Sequence, residues 1–177
     1  MSPPPSTDLH VPAPASAPDL SPLVMRGALG RFATGVTIIT CIDAAGVSVG
    51  LTANSFTSLS LDPPLVLWSL RRSSASVAAF DGAAHFAINV LAETQVDLSR
   101  RFASPVADKF EHGHWRAGLG QAPLLAGCAA VFECGLHLRQ EAGDHVLYIG
   151  RVLRLQDQAV APLLFQGSHY HLLGEVL

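Results

Sequence analysis

The chain has 177 residues, of which 49% are hydrophobic and 14% are charged, and its formal net charge is −3. This length and composition predict one compact domain with a sizeable hydrophobic core. Because the 11 Lys and Arg residues are scattered and no apolar run reaches about 18 residues, neither nucleic-acid binding nor a membrane span is expected. The expected partner is a small molecule or another protein.

Three cysteines, Cys41, Cys128 and Cys134, lie in apolar runs without CxxC spacing. Their odd number and their surroundings predict buried, reduced packing residues and argue against a disulfide framework or a zinc site. The N-terminus also lacks the basic and then apolar layout of a signal peptide. A cytoplasmic location is therefore expected.

The beginning of the chain differs in composition from the rest. Residues 1–22 are rich in Pro, Ala and Ser and show almost no periodicity, which predicts a disordered or extended arm before a domain covering residues 23–177. Ser21 and Pro22 predict the N-cap and first position of a helix. Apolar residues then recur at helical spacing until Gly35, where the helix is expected to stop.

Most of the remaining chain predicts strands. The last two form a long antiparallel hairpin across the sequence QEAGD, because apolar and polar residues alternate along the first of them. The predicted strands are 36–42, 47–51, 64–70, 85–91, 128–139 and 144–155. Two short helices are expected, around 74–80 and 94–102. Six to seven strands without a repeated βαβ unit predict a mainly β fold, and a closed antiparallel barrel fits better than a doubly wound sheet.

The stretch LTANSFTSLSLDPP, residues 51–64, concentrates small hydroxyl and amide side chains between two strands. Such short donors and acceptors suit the polar edge of a flat ring. The alternative is an ordinary connection in which Ser, Thr and Asn satisfy backbone groups. The residue types in this stretch do not decide between these two interpretations.

Two further polar clusters follow. In RRSSAS, residues 71–76, Arg71 and Arg72 precede serines at the start of a short helix, where guanidinium and backbone N–H groups can bind phosphate. A capped surface helix with solvated arginines is the alternative. In EAGDHVLYIGRV, Gly143 permits a tight turn, and His145 begins a strand at which an imidazole could meet a ligand.

Seven segments occur in a specific order: RGALGRFATGVTIIT, GLTANSFTSLSLDPPLVLWSL, RRSSAS, HFAINVL, RFA, GDHVLYIGRV and PLLFQGSHYHL. Together they closely resemble the short-chain flavin reductases, the small partners of two-component flavin-dependent monooxygenases. The resemblance covers about residues 23–173.

The resemblance implies a split β-barrel with a Greek-key core and a few short helices. It also implies a homodimer with flavin bound at or near the subunit interface. The implied flavin contacts are Thr34, Asn54, Ser55, Ser58, Leu59, Ser60, Arg101 and Phe102. The implied phosphate contacts are Arg72, Ser73 and Ser74. His145 resembles the nicotinamide-side residue of the family and is the candidate catalytic residue, with Tyr170 near it.

The implied activity is that of an NAD(P)H:flavin oxidoreductase, which transfers hydride from NADH or NADPH to FMN or FAD. Reduced flavin would then diffuse to a separate monooxygenase. The cofactors carry this chemistry, so the absence of a convincing acid/base or nucleophilic set in the sequence agrees with it, and no metal is expected.

Two alternatives come from other functional classes. A non-catalytic flavin-binding module would keep the Ser and Asn lining without needing the GDH sequence. A metal-dependent binding protein would use His112 with His114, or His169 with His171, since residues two apart on a strand share a face. Spacing connects no third ligand to either pair, and exposed polar strand positions explain them more simply.

Overall fold

A computed structural model describes residues 19–176, so residues 1–18 of the predicted arm lie outside the described part of the chain. The helices are α1 (Pro22–Leu29), α2 (Val77–Gly82) and α3 (Val96–Ala103), with short 3-10 turns at Glu93–Gln95, Lys109–Glu111 and Leu119–Gln121. The strands are β1 (Thr34–Gly35), β2 (Thr37–Ile42), β3 (Ser48–Ala53), β4 (Thr57–Leu61), β5 (Pro64–Arg71), β6 (His85–Val90), β7 (Trp115–Ala117), β8 (Pro123–Leu125), β9 (Ala130–Ala142), β10 (His145–Asp157), β11 (Leu164–Gln166) and β12 (His169–His171).

Seven strands form the main sheet in the order β3-β2-β6-β9-β10-β5-β4, and all neighbours are antiparallel. The predicted mainly β class is confirmed, and each predicted strand corresponds to one of these seven. The long hairpin β9–β10 turns through only two residues, because Ala142 already pairs with His145. Gly143 has φ +60° in this turn, a backbone conformation that residues with a Cβ atom rarely adopt.

Two small sheets complete the fold, one with the order β1-β11-β12 and one made of β7 and β8. The strand pairing in the first of these sheets shows that the predicted end of the opening helix is wrong. Helix α1 stops at Leu29 instead of near Gly35, since Thr34 pairs with Phe165 of β11. Long-range strand pairing therefore overrides the local helical pattern, which is weak because α1 buries none of its side chains.

The polar stretch between residues 51 and 64 also differs from expectation. Its second half forms β4, an edge strand that pairs with β5 from Thr57 to Leu61, with a register shift between Ser58 and Ser60. Only residues 54–56 connect β3 to β4. The stretch is thus mostly strand, and its side chains divide between different surfaces.

Strand β2 of the main sheet is buried on both faces. On β2, Ile39 joins a cluster with Trp68 and Tyr148, whereas its neighbour Ile38 joins a second cluster with Phe102. This alternation follows from the period of two along a strand. Within residues 19–176 no helix is long and apolar enough to cross a membrane.

All three cysteines are free and buried in these clusters, as the sequence predicts. Burial raises the pKa of the Cys41, Cys128 and Cys134 thiols to about 12, because the thiolate form is disfavoured away from water. They are inert packing residues at neutral pH.

Candidate functional site

A cleft of about 480 Å³ lies between the end of β3 and the end of β5. Its lining comes from β3 and the connection after it, from β5 and the loop before α2, from α3 and the segment that follows, and from the start of β10. The lining residues are Leu51, Thr52, Ala53, Asn54, Ser55, Ser69, Leu70, Arg71, Ser74, Ser76, Phe102, Ala103, Lys109 and His145.

Hydroxyl groups fix the two strands that border the cleft. Ser55 Oγ donates a hydrogen bond to Ser69 O and accepts one from Ser69 N, both at 3.0 Å, which joins the end of β3 to β5. Thr52 Oγ1 donates to Ser99 O at 2.7 Å, which joins β3 to α3. These two side chains therefore satisfy backbone groups, whereas Asn54 is exposed at the cleft.

The second border is the rim formed by β5 and β10, where Arg71 lies opposite His145 in the strand register. Asp144 accepts a hydrogen bond of 2.7 Å from His145 Nδ1, which leaves Nε2 of the imidazole for another partner. This hydrogen bond, together with the nearby charge of His145, holds the pKa of the exposed Asp144 carboxyl below its usual value. The tight turn at Gly143 thus presents a pre-oriented imidazole to the cleft.

Arg72 and Ser73 lie in a neighbouring hollow with Arg71, Gly143 and Asp144. The Arg72 guanidinium is 3.8 Å from Glu141, and both side chains are more than half exposed. Arg71 therefore borders both the cleft and this hollow, while Arg72 borders only the hollow.

The third border of the cleft is the end of α3. Phe102 is 1% exposed and lines the cleft, while the preceding Arg101 pairs with Asp108 instead. Lys109 Nζ donates to Phe102 O at 3.0 Å and to Gly50 O at 3.3 Å. Because the ammonium is partly withdrawn from water, the pKa of Lys109 lies below its usual value.

A side cavity of about 170 Å³ shares Thr52, Asn54 and Ala103 with the cleft. Tyr170 lines this cavity, and its hydroxyl shares a hydrogen bond of 2.8 Å with Ser99 Oγ. Thr34 Oγ1 is buried and has no hydrogen-bond partner among the described residues, and Thr34 pairs with Phe165, another residue of the cavity wall.

The structure brings together part of the predicted site. Five predicted residues line the cleft: Asn54, Ser55, Ser74, Phe102 and His145. Thr34 and Tyr170 belong to the surroundings of the side cavity, and Arg72 and Ser73 belong to the adjoining hollow. Ser58, Leu59 and Ser60 lie on β4, and Arg101 is engaged with Asp108. Their roles stay predictions.

Among the polar lining residues, Ser69 and Lys109 lie outside the polar stretches that the sequence singles out, whereas Thr52 and Ser76 lie within them but are not among the implied contacts. Ser69 lies within the predicted strand 64–70, and alternation along that strand is the signal that could have placed its side chain. Lys109 is a single lysine in an irregular segment, and its contact with Gly50 crosses 59 positions of the chain. No local pattern indicates that contact.

The charges around the cleft are of one sign. Arg71 and Lys109 are the charged residues that line it, and no Asp or Glu appears among the described lining residues. Such a lining favours an anionic ligand. The metal alternative gains no support, because no group of three or more His, Cys, Asp or Glu suited to a metal occurs within residues 19–176.

Several known proteins are similar to this chain. The NADH-dependent FMN reductase SmoA of Agrobacterium fabrum is 43% identical over 145 residues, which are 82% of each protein. The reductase component of the flavin-dependent trigonelline monooxygenase of Acinetobacter baylyi is 42% identical over 147 residues, or 82% of this chain. The matched part is only 47% of the length of that reductase component. A probable flavin reductase of Rhizobium meliloti is 48% identical to this chain, and there too the match covers about half of the relative, 48% of its length.

A solved structure agrees with these sequence relationships. The NADH:FAD oxidoreductase SgcE6 of Streptomyces globisporus, in complex with NAD and FAD fragments, superimposes with a TM-score of 0.82 at 36% identity. The match covers 89% of this chain and 96% of SgcE6. The family model described as the flavin reductase like domain matches residues 29–174, which contain every residue of the cleft. The chain therefore belongs to the flavin reductase family.

Proposed function

We propose that this chain is an NAD(P)H-dependent flavin reductase, which transfers hydride from NADH or NADPH to FMN or FAD and supplies reduced flavin to a separate monooxygenase. One observation carries the proposal. A single cleft, in a member of the flavin reductase family, collects small polar side chains, an oriented histidine and only positive charge. This combination suits a planar ligand with a polar edge and a phosphate.

Bound flavin and reduced nicotinamide would supply the hydride chemistry themselves. The protein's part is to bind and orient the two ligands. Asn54 and the backbone near Ser55 offer polar contacts to a ring edge, and Ser74 with Arg71 offers contacts to a phosphate. His145 would orient the nicotinamide through Nε2, since Asp144 occupies Nδ1.

The relatives support the choice of ligands. SmoA is an FMN reductase that uses NADH, and SgcE6 is an NADH:FAD oxidoreductase. NADH is thus the expected donor, with NADPH to be compared, and both FMN and FAD are reasonable acceptors. The trigonelline enzyme is the reductase component of a monooxygenase, which supports a monooxygenase as the partner that receives reduced flavin.

We further infer a split β-barrel with a Greek-key core, assembled as a homodimer. Large apolar side chains are exposed on three strands of the main sheet, namely Leu59, Leu61, Leu138, Leu153 and Leu155. Exposed apolar side chains favour association, and a second copy of the chain is the occupant that the family resemblance implies. Since Leu59 and Leu61 both belong to β4, this arrangement would bring β4, the strand that carries several predicted flavin contacts, to the subunit interface. The three free cysteines suit a reducing compartment, so the cytoplasm is the proposed location.

A non-catalytic flavin-binding module of the same fold is the alternative function. It would need the polar lining near Asn54 but not the oriented imidazole of His145. The two functions therefore predict different results when this imidazole is removed.

The test follows absorbance at 340 nm in air after the purified chain is mixed with NADH or NADPH and with FMN, FAD, riboflavin or no flavin. We expect rapid oxidation that depends on added flavin, and at least about tenfold slower turnover in His145→Ala because nicotinamide loses an orienting contact. His114→Ala, an exposed histidine outside the cleft, is the matched control and should behave like the unaltered protein. Flavin binding without any nicotinamide oxidation would favour the binding module.

A further inference from the structure

Lys109 lines the cleft but belongs to none of the sequence motifs that predict the site. Its side chain is half-buried, and its ammonium lies 6.0 Å from the centre of the Phe102 ring. Among residues 19–176 no carboxylate forms an ion pair with it. A positive charge that is partly withdrawn from water and lacks a countercharge is costly, unless a ligand supplies the negative charge.

The position of this ammonium is fixed by two carbonyl groups. It donates to Phe102 O at the end of α3 and to Gly50 O on β3, the strand at one edge of the main sheet. An ammonium has three N–H donors, so one remains for another acceptor. The two carbonyl contacts pre-orient the charge without neutralising it.

Lys109 and Arg71 belong to different borders of the cleft. Lys109 is attached to β3 and α3, whereas Arg71 ends β5 and lies opposite His145. Ser74 and Ser76 line the same cleft and offer hydroxyl groups. Two cations on separate borders, with hydroxyls lining the same cleft, suit the several oxygens of a phosphoryl group.

We propose that Lys109 binds a phosphoryl group of the nucleotide in the cleft, as a second cation beside Arg71. This inference rests on the proposed function, because the nucleotide is either the flavin or the nicotinamide donor. Arg72, by contrast, borders only the adjoining hollow and faces Glu141. The difference makes Lys109, and not Arg72, the stronger determinant of affinity for phosphorylated ligands.

The test compares ligands with and without phosphate in Lys109→Gln and Lys109→Arg. Glutamine can still donate to a carbonyl but carries no charge, and arginine restores the charge. Affinities for riboflavin, FMN and FAD are measured by flavin fluorescence, and the KM for NADH is measured with riboflavin as acceptor, so that only NADH carries phosphate. Arg116→Gln removes an exposed positive charge outside the cleft and is the matched control.

We expect Lys109→Gln to weaken FMN and FAD binding about tenfold or more while riboflavin binding changes little, and Lys109→Arg to recover most of the loss. If the nicotinamide donor supplies the phosphoryl group, the KM for NADH with riboflavin rises instead and the affinities for flavin stay unchanged. Equal losses for riboflavin and FMN, or no loss for any ligand, would overturn the proposal and leave Lys109 a structural link. Failure of the unaltered protein to bind any flavin or oxidise NADH would count against the proposed function itself.

Discussion

The aromatic cluster around Trp68 and the cleft beside it are built from the same strand. On β5, the side chains of Val66 and Trp68 are buried in the cluster, Ser69 and Arg71 reach the cleft, and Leu70 contributes to both. Trp68 stacks on Tyr148 with ring centres 4.6 Å apart, and it also contacts Phe80 edge to face. The cluster consists of buried apolar and aromatic side chains. In the cleft, by contrast, Arg71 and Lys109 form no ion pair with any described carboxylate. Neighbouring residues of one strand, such as Trp68 and Ser69, thus serve stability and the cleft separately.

The largest effect should come from emptying the cluster. Trp68 is fully buried, so Trp68→Ala should lower the free energy of unfolding by about 3–5 kcal/mol through lost burial and the cavity left behind. Urea unfolding followed by circular dichroism measures this change. Flavin affinity of the folded fraction should stay close to that of the unaltered protein, because the indole does not line the cleft.

Trp68→Phe keeps an aromatic ring and removes the indole N–H, which is buried without a hydrogen-bond partner among the described residues. It should therefore cost less than the alanine variant and give a folded protein for the binding measurement. A loss of flavin affinity in Trp68→Phe at full folding would contradict the separation of the two regions.

Gly50 lies where the cleft meets the second buried cluster, which contains Phe102. A Cβ added there would lie 2.7 Å from Phe102 Cε1 and 3.1 Å from Phe110 Cζ, so the rings must move. Gly50→Ala should cost about 1–3 kcal/mol of stability through overpacking. It should also weaken flavin binding, since Phe102 lines the cleft and Gly50 O binds Lys109.

Gly82→Ala is the matched control, because an added Cβ at Gly82 meets no atom within 4 Å. Thermal unfolding and flavin titration of both variants test the expected pair of effects. Unchanged flavin affinity in a destabilised Gly50→Ala protein would show that Phe102 can shift without altering the cleft.

How far the sequence predicts this molecule depends on the range of the contacts involved. The long hairpin and the start of β10 at His145 are local patterns, and the structure confirms both. The alternation predicted along β9 is only partly right, because Glu133 is buried and Leu138 is exposed. The end of α1 could not be predicted, because pairing of Thr34 with Phe165 spans most of the chain. The resemblance indicates which segments form the site. It does not indicate which serines lie on β4 and which line the cleft, because that depends on the strand register.

A smaller effect should come from Asp81, whose carboxylate is hydrogen-bonded to Tyr148 of the aromatic cluster. Asp81 accepts hydrogen bonds from Tyr148 at 2.6 Å and from Arg139 at 2.9 Å. Burial alone would raise the pKa of Asp81, but these hydrogen bonds and the Arg139 charge outweigh it, so the pKa lies below its usual value. The resulting stability is present above the unfolded pKa of about 3.9 and is lost as the pH falls through the lower folded pKa.

Asp81→Asn should therefore cost about 1–2 kcal/mol at neutral pH, where the carboxylate is ionised in both states, and progressively less as the pH falls below about 4. Urea unfolding at pH 7 and at several acidic values measures the difference, with the exposed Asp157→Asn as control. Since Asp81 contacts the cluster and not the cleft, flavin affinity at pH 7 should not change. A cost that stays constant across the acidic range would mean that the carboxylate charge contributes nothing and that only the shape of the side chain matters.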